Sequence, residues 1–246
     1  RRDQVIIATK FGYRVDEEGK NVTHYGDPRS GEIASHIRKD CEESLRRLDT
    51  DGIDLYFFYV AYYLPENVDP ILDELEALVA EGKIRYYGWS TDNPDGARAF
   101  AKGEHCIAMQ HDLTVMTDAP EMIELCETEH LASVNRSPLG RGLLTGKYSA
   151  TSTYAENDLR SRSDFARRWA KPILSNLDAV RDVLTGRGRT LPQGALCWIW
   201  GRSDCTIPIP GFRNVVQLKE NIAALGHGPI SEDEIQQIDE LLSRRS

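Results

Sequence analysis

Six short apolar runs alternate with amphipathic helical patterns along the chain, and that alternation restricts the fold more than any other feature. The strand-like runs are Val5–Thr9, Ile53–Tyr59, Ile84–Trp89, Cys106–Gln110, Leu131–Asn135 and Thr206–Ile209. Between them, Glu32–Leu48 sets Ile33, Ile37, Cys41, Ser44, Leu45 and Leu48 on one stripe. Val68–Ala80 does the same with Ile71, Leu72, Leu75, Leu78 and Val79. Pro94–Lys102, Pro120–Glu129, Leu191–Arg202 and Val215–Leu225 follow; Pro94, Pro120 and Pro192 stand near helix starts, where a missing N–H costs nothing. Ser231-Glu232-Asp233-Glu234 is a capping box for a last helix that should end near Arg245. Strand–helix units in series, without an antiparallel hairpin signal, make a mostly parallel sheet. The fold class is therefore α/β. A (β/α)8 TIM barrel needs eight strands, and this chain supplies about six βα units plus a C-terminal helix.

The chain opens Arg1-Arg2-Asp3-Gln4, without a methionine, and enters a buried-type strand at once. The expectation is one barrel domain over 1–246 that lacks its first two units at the N-terminus. A net charge of −9 argues against non-specific binding to nucleic acid or to an acidic membrane surface. The most apolar stretch, Leu55–Leu64, is too short to span a bilayer, and no signal peptide is visible. The five cysteines form no CxxC pair, which fits buried thiols in a cytoplasmic protein better than a disulfide frame or a zinc site. The six histidines are scattered, and none has a metal-binding spacing. Arg141–Arg168 is long, polar and without apolar periodicity, as lids are. Nothing here fixes the oligomeric state.

Two constellations carry chemistry. In Val5-Ile6-Ile7-Ala8-Thr9-Lys10-Phe11-Gly12, an apolar strand expected to be buried on both faces ends in a lysine. A strand-end lysine at the mouth of a barrel is a candidate for proton transfer; from this segment alone, a lysine snorkelling to water is the simpler reading. Near the C-terminus, strand Thr206–Ile209 runs into Pro210-Gly211-Phe212-Arg213-Asn214 and then a helix from Val215. A glycine, a helix start and a guanidinium together make an anion site; the other reading is a helix cap with a surface arginine. The preceding unit ends Asn135-Arg136-Ser137-Pro138-Leu139-Gly140-Arg141-Gly142, which is either part of that site or a turn-rich connection. His111-Asp112 reads as a loop contact, Trp198 and Trp200 as core, and Trp89 as a strand-end residue that touches cofactor or substrate.

The segments Ile6–Gly12 (IIATKFG), Ser44–Tyr56 (SLRRLDTDGIDLY), Glu81–Ser90 (EGKIRYYGWS), Arg136–Lys147 (RSPLGRGLLTGK) and Ile207–Asn221 (IPIPGFRN…LKEN) resemble, in this order, the aldo-keto reductases. These are NADP(H)-dependent carbonyl reductases on a (β/α)8 barrel. The resemblance implies a small-molecule aldehyde or ketone as substrate and NADP(H) as cofactor. It assigns Lys10 to the catalytic tetrad, where it lowers the pKa of a proton-donating tyrosine. The tetrad's aspartate and tyrosine would lie upstream of residue 1. Its histidine position is occupied by Tyr59, which is either a hydrogen-bond donor to a carbonyl oxygen or one more aromatic beside Tyr56, Phe57, Phe58, Tyr62 and Tyr63. Those aromatics could line an apolar substrate pocket. Ser90 and Gln110 match the nicotinamide-carboxamide positions, and Thr91 stands where asparagine is usual. Arg136 falls where many members stack an aromatic ring. Ser137, Leu139 and Arg141 match the pyrophosphate loop. Gly211, Phe212, Arg213, Gln217 and Asn221 match the adenosine end; Arg213 would meet a 2′-phosphate, and Gln217 replaces a common arginine. An alternative from another class is a non-catalytic NADP(H)-binding relative that senses the cofactor or binds a partner. A third is a fragment with an open barrel edge, prone to association.

Overall fold

A computed structural model describes residues 2–15, 22–24, 32–60, 62–148, 152 and 171–244. It divides into two compact units, Arg1–His111 with Pro120–Val134, and Asp112–Ala119 with Asn135–Ser246. Along the chain the strands are β1 (Ala8–Phe11), β2 (Tyr13–Val15), β3 (Val22–His24), β4 (Ile53–Phe58), β5 (Ile84–Ser90), β6 (Cys106–Asp112), β7 (Ala132–Arg136) and β8 (Thr206–Pro208). The helices are α1 (Ile37–Leu48), α2 (Asp69–Ala80), α3 (Pro94–Phe100), α4 (Pro120–Thr128), α5 (Lys171–Thr185), α6 (Leu191–Arg202), α7 (Val215–Ala223) and α8 (Glu232–Leu241). Six strands are hydrogen-bonded neighbours in the order β1-β4-β5-β6-β7-β8, and β2 pairs with β3. The β1–β4, β4–β5 and β5–β6 pairs are parallel.

In the first unit β4 explains the packing. Its sequence IDLYFF is almost wholly buried, as a strand covered on both faces must be. Phe57 joins Ala108 and Val134 in one apolar cluster. Its neighbour Phe58 instead packs on Tyr63, Trp89 and Phe100, with ring centroids 5.1, 5.3 and 6.1 Å away. Gly88 lets β5 approach β6: a Cβ there would stand 2.1 Å from the Ala108 carbonyl oxygen. Asp54 holds the approach to β1, accepting the Ile7 N–H at 2.9 Å and pairing with Arg2 at 2.8 Å.

In the second unit α6 is apolar nearly all round and buried from Leu191 to Ile199, as a central helix should be. Its Gly194 lies against the Leu184 carbonyl of α5, where a Cβ would come within 2.1 Å. Thr190 and Gln193 close a capping box at its start.

Four expectations are corrected. The first strand is Ala8–Phe11, not Val5–Thr9; Val5 and Ile6 precede it and are 56% and 82% exposed, and of the strand itself only Phe11 is buried. β1 ends the strand order, so it has one neighbour instead of two. An antiparallel hairpin, β2–β3, does occur, with Tyr13 opposite His24. Glu32–His36 is a 3-10 turn, so the α-helix begins at Ile37. The last helix stops at Leu241, short of Arg245, where Ser243 takes a φ of 54°. The α5 helix is an addition to the elements expected. The lid expectation for Arg141–Arg168 falls largely outside the described residues; its first residues belong to the 3-10 turns of Gly140–Thr145, which are kinked at Arg141 and Gly142.

All five cysteines are free thiols, four of them buried. Burial pushes Cys41 up to about 11 and Cys106 up to about 12, so neither is a thiolate at neutral pH.

Candidate active site

Lys10 is exposed near the end of β1, opposite Phe57 in register. Its exposure agrees with the simpler reading of this segment, a lysine that reaches water. Its Nζ lies 5.9 Å from the ring centroids of both Phe57 and Tyr59. Tyr59 is brought here by its backbone, whose N–H donates to the Phe11 carbonyl at 2.9 Å. It is 40% exposed and packs on Tyr13 at 5.1 Å, outside the buried aromatic core. Burial, then Tyr59 and Tyr62, raises the Tyr13 hydroxyl pKa. Sequence reasoning passed over Tyr13, whose only signal was its place just after the lysine strand.

Most of the aromatics expected to line an apolar pocket are packed into the core instead. Tyr56, Phe57, Phe58 and Tyr63 are core, and Tyr62 is turned out to solvent. Trp89 is also core; it is fully buried and donates its Nε1–H to the Val60 carbonyl at 3.3 Å. His111 lies in β6, not in a loop; it is buried with its Nε2 2.7 Å from the Ser133 hydroxyl. Trp198 is core as expected, whereas Trp200 is only partly covered.

At the ends of β5 and β6, Ser90 and Gln110 are register partners and both are buried. The Ser90 hydroxyl has no hydrogen-bond partner among the described residues. A buried orphan hydroxyl costs about 1–3 kcal/mol, which a ligand's polar group can relieve. Thr91, next to it, is occupied locally: its Oγ1 accepts the Asn93 N–H at 3.1 Å in the turn to α3.

The second unit holds a cavity of about 680 Å³, lined by Ser137, Leu139, Arg141, Gly211, Phe212, Arg213, Gln217 and Asn221 among others. Eight expected positions therefore converge within this unit. Pro138, Gly142, Thr145, Lys147, Tyr148, Pro192 and Glu220 complete the lining. Lys147 was visible inside the RSPLGRGLLTGK segment as a basic residue without an assigned role. Three cations, Arg141, Lys147 and Arg213, stand against one carboxylate, Glu220, in a chain of net charge −9. Such a local reversal of sign is what a multiply charged anion needs.

Local rules explain how the lining is held. Ser137 and Arg141 have φ of 53° and 55°, and Gly140 and Gly142 of 55° and 95°. Non-glycine residues in that region are strained, and such strain collects where a loop is shaped for a ligand. Gly211 faces open space: a Cβ there would meet nothing within 4 Å. Asn214 caps α7 by accepting the Gln217 N–H at 3.0 Å, while the Gln217 Oε1 accepts the Arg213 N–H at 2.8 Å. Asn221 is only 8% exposed, and its Nδ2 has no partner among the described residues. Arg136 is not part of this lining; its Nε pairs with Asp112 at 3.0 Å.

A sequence profile of the aldo/keto reductase family matches residues 1–243. The chain belongs to that family. It is similar to an aldo-keto reductase of Schizosaccharomyces pombe named with NADP(+), 32% identical over 235 residues, covering 92% of this chain and 66% of that protein. It is also similar to a probable aldo-keto reductase of Glycine max, 29% identical, covering 97% of this chain and 67% of the relative. The chain thus spans about two thirds of the length of these relatives. Among solved structures, a glycerol dehydrogenase from Gluconobacter oxydans aligns with a TM-score of 0.82 and 27% identity, over 99% of this chain and 74% of the other. The fold class expected from the sequence, α/β of the TIM-barrel type, is the one shared with that structure.

Proposed function

We propose that the chain is an NADP(H)-dependent oxidoreductase that reduces an aldehyde or ketone. The observation that carries this reading is the basic cavity of the second unit, with Arg141, Lys147 and Arg213 around it and the orphaned Asn221 amide in its wall. The S. pombe relative, named with NADP(+), agrees with it. When bound, NADPH supplies a hydride. The chain's own residues hold and orient it. Arg141 and Ser137 would neutralise and bind the pyrophosphate, and Arg213 the 2′-phosphate. Asn221 Nδ2 would donate to an acceptor of the adenosine end. Ser90, Gln110 and Thr91 would hold the carboxamide, with the Ser90 hydroxyl satisfied there. Arg136, paired with Asp112, would stack its guanidinium on the nicotinamide ring. Lys10 would tune the proton donor, and Tyr59 would donate a hydrogen bond to the substrate's carbonyl oxygen. The setting is cytoplasmic in this reading. A non-catalytic NADP(H) sensor is favoured by one feature, Tyr59 in place of the tetrad histidine.

Titration with NADPH, followed by nicotinamide fluorescence and controlled with NADH, tests the reading. Saturable binding with NADPH preferred is expected, and Arg213→Ala should reduce that preference at least tenfold, about 1.4 kcal/mol. Absence of NADPH binding overturns it. Binding without turnover of any aldehyde or ketone, in protein that also carries the tetrad aspartate and tyrosine, selects the sensor. Turnover unchanged in Lys10→Ala removes Lys10 from the mechanism.

A further inference from the structure

Away from the cavity, α2 and the turn before β6 bring Glu76, Glu104 and His105 together, with one ligating atom of each within 4.8 Å of the others. We propose that these three residues bind a divalent transition-metal ion of the zinc type, which ties α2 to the turn that leads into β6. The donor set is one imidazole and two carboxylates, which suits zinc and its neighbours and is a poor match for magnesium. The central ligand is already oriented. Glu76 Oε1 accepts the His105 backbone N–H at 3.1 Å and the Tyr87 hydroxyl, and Oε2 is hydrogen-bonded to His105 Nδ1 at 2.6 Å, the bond that a metal ion would replace. Outer hydrogen bonds of this kind fix the ligands of metal sites. Glu76 and His105 are half-buried, whereas Glu104 is exposed and free to swing inward. Tetrahedral zinc with bonds of about 2.0–2.2 Å sets two ligands about 3.5 Å apart, so zinc would take the place of the 2.6 Å Glu76–His105 hydrogen bond, these two atoms moving apart as Glu104 closes in. Remaining positions face water.

The test is calorimetric titration of the full chain with zinc alone, with magnesium as control and a parallel thermal melt. One saturable site, a rise in melting temperature with zinc and no response to magnesium are expected. Glu104→Gln, at an exposed position, should leave the metal-free melt unchanged and weaken zinc at least tenfold. Tyr87→Phe should weaken it about tenfold through loss of the outer hydrogen bond. A simple Glu76–His105 ion pair predicts no saturable zinc binding, and that result overturns the site. Zinc binding undiminished in both Glu104→Gln and His105→Gln overturns it equally.

Discussion

Glu234 shows how the buried charge of Arg189 is kept. Burial raises its carboxyl pKa, but the hydrogen bond from Arg189, the Ser231 N–H and the Arg189 charge outweigh that and hold it at about 2, against an ordinary 4.5. Arg189 is buried and also donates its Nε–H to the Leu184 carbonyl at 3.0 Å. A depressed carboxylate contributes stability that is complete above its unfolded pKa and is lost as pH falls through the folded one. Stability should therefore decline between about pH 4.5 and pH 2. Glu234→Gln should cost about 2–3 kcal/mol at pH 7, since it leaves Arg189 buried without its counter-charge. Urea denaturation at pH 7 and pH 3 checks this: the difference between variant and parent should shrink at the lower pH. None of this pairing is legible from sequence, where Ser231-Glu232-Asp233-Glu234 announces only a capping box. The cap is real, and Glu234 serves it and the ion pair together. Lys10 likewise reads as a strand-end cation, but only the packed structure shows it exposed and set against two aromatic rings.

Helices were legible where a 3.6-residue period met a start signal. α6 combines Pro192 with the Thr190–Gln193 box, and its bounds, Leu191–Arg202, agree with the pattern. Thr190→Ala should remove that cap and lower stability by about 1 kcal/mol, measured as a lower midpoint of thermal unfolding at unchanged NADPH affinity. α5 was not legible, because its pattern begins inside a long polar stretch and its Lys171-Pro172 start carries no N-cap residue. The β2–β3 hairpin escaped because three-residue strands are too short to show an alternating period. β1 was placed too early: Val5 and Ile6 have the composition of a covered strand, but composition does not say whether a neighbour lies on both sides.

Each unit has its own expected response to ligand. NADPH should slow amide exchange in the second unit over Ser137–Tyr148 and Gly211–Ala223, whose residues line the cavity; protection absent from both segments would separate binding from that cavity. The sequence by itself determined the parallel α/β alternation, the family, and the residue types of the anion site, because helix periods, glycine turns and motif order are local properties of the chain. Only the tertiary structure decided that Ser137–Tyr148 and Gly211–Asn221 share one cavity, that Trp89 and His111 are core, and that Glu76 meets His105. Those outcomes depend on which distant segments pack together. Packing is set by shape and burial over the whole chain, which no window of sequence contains.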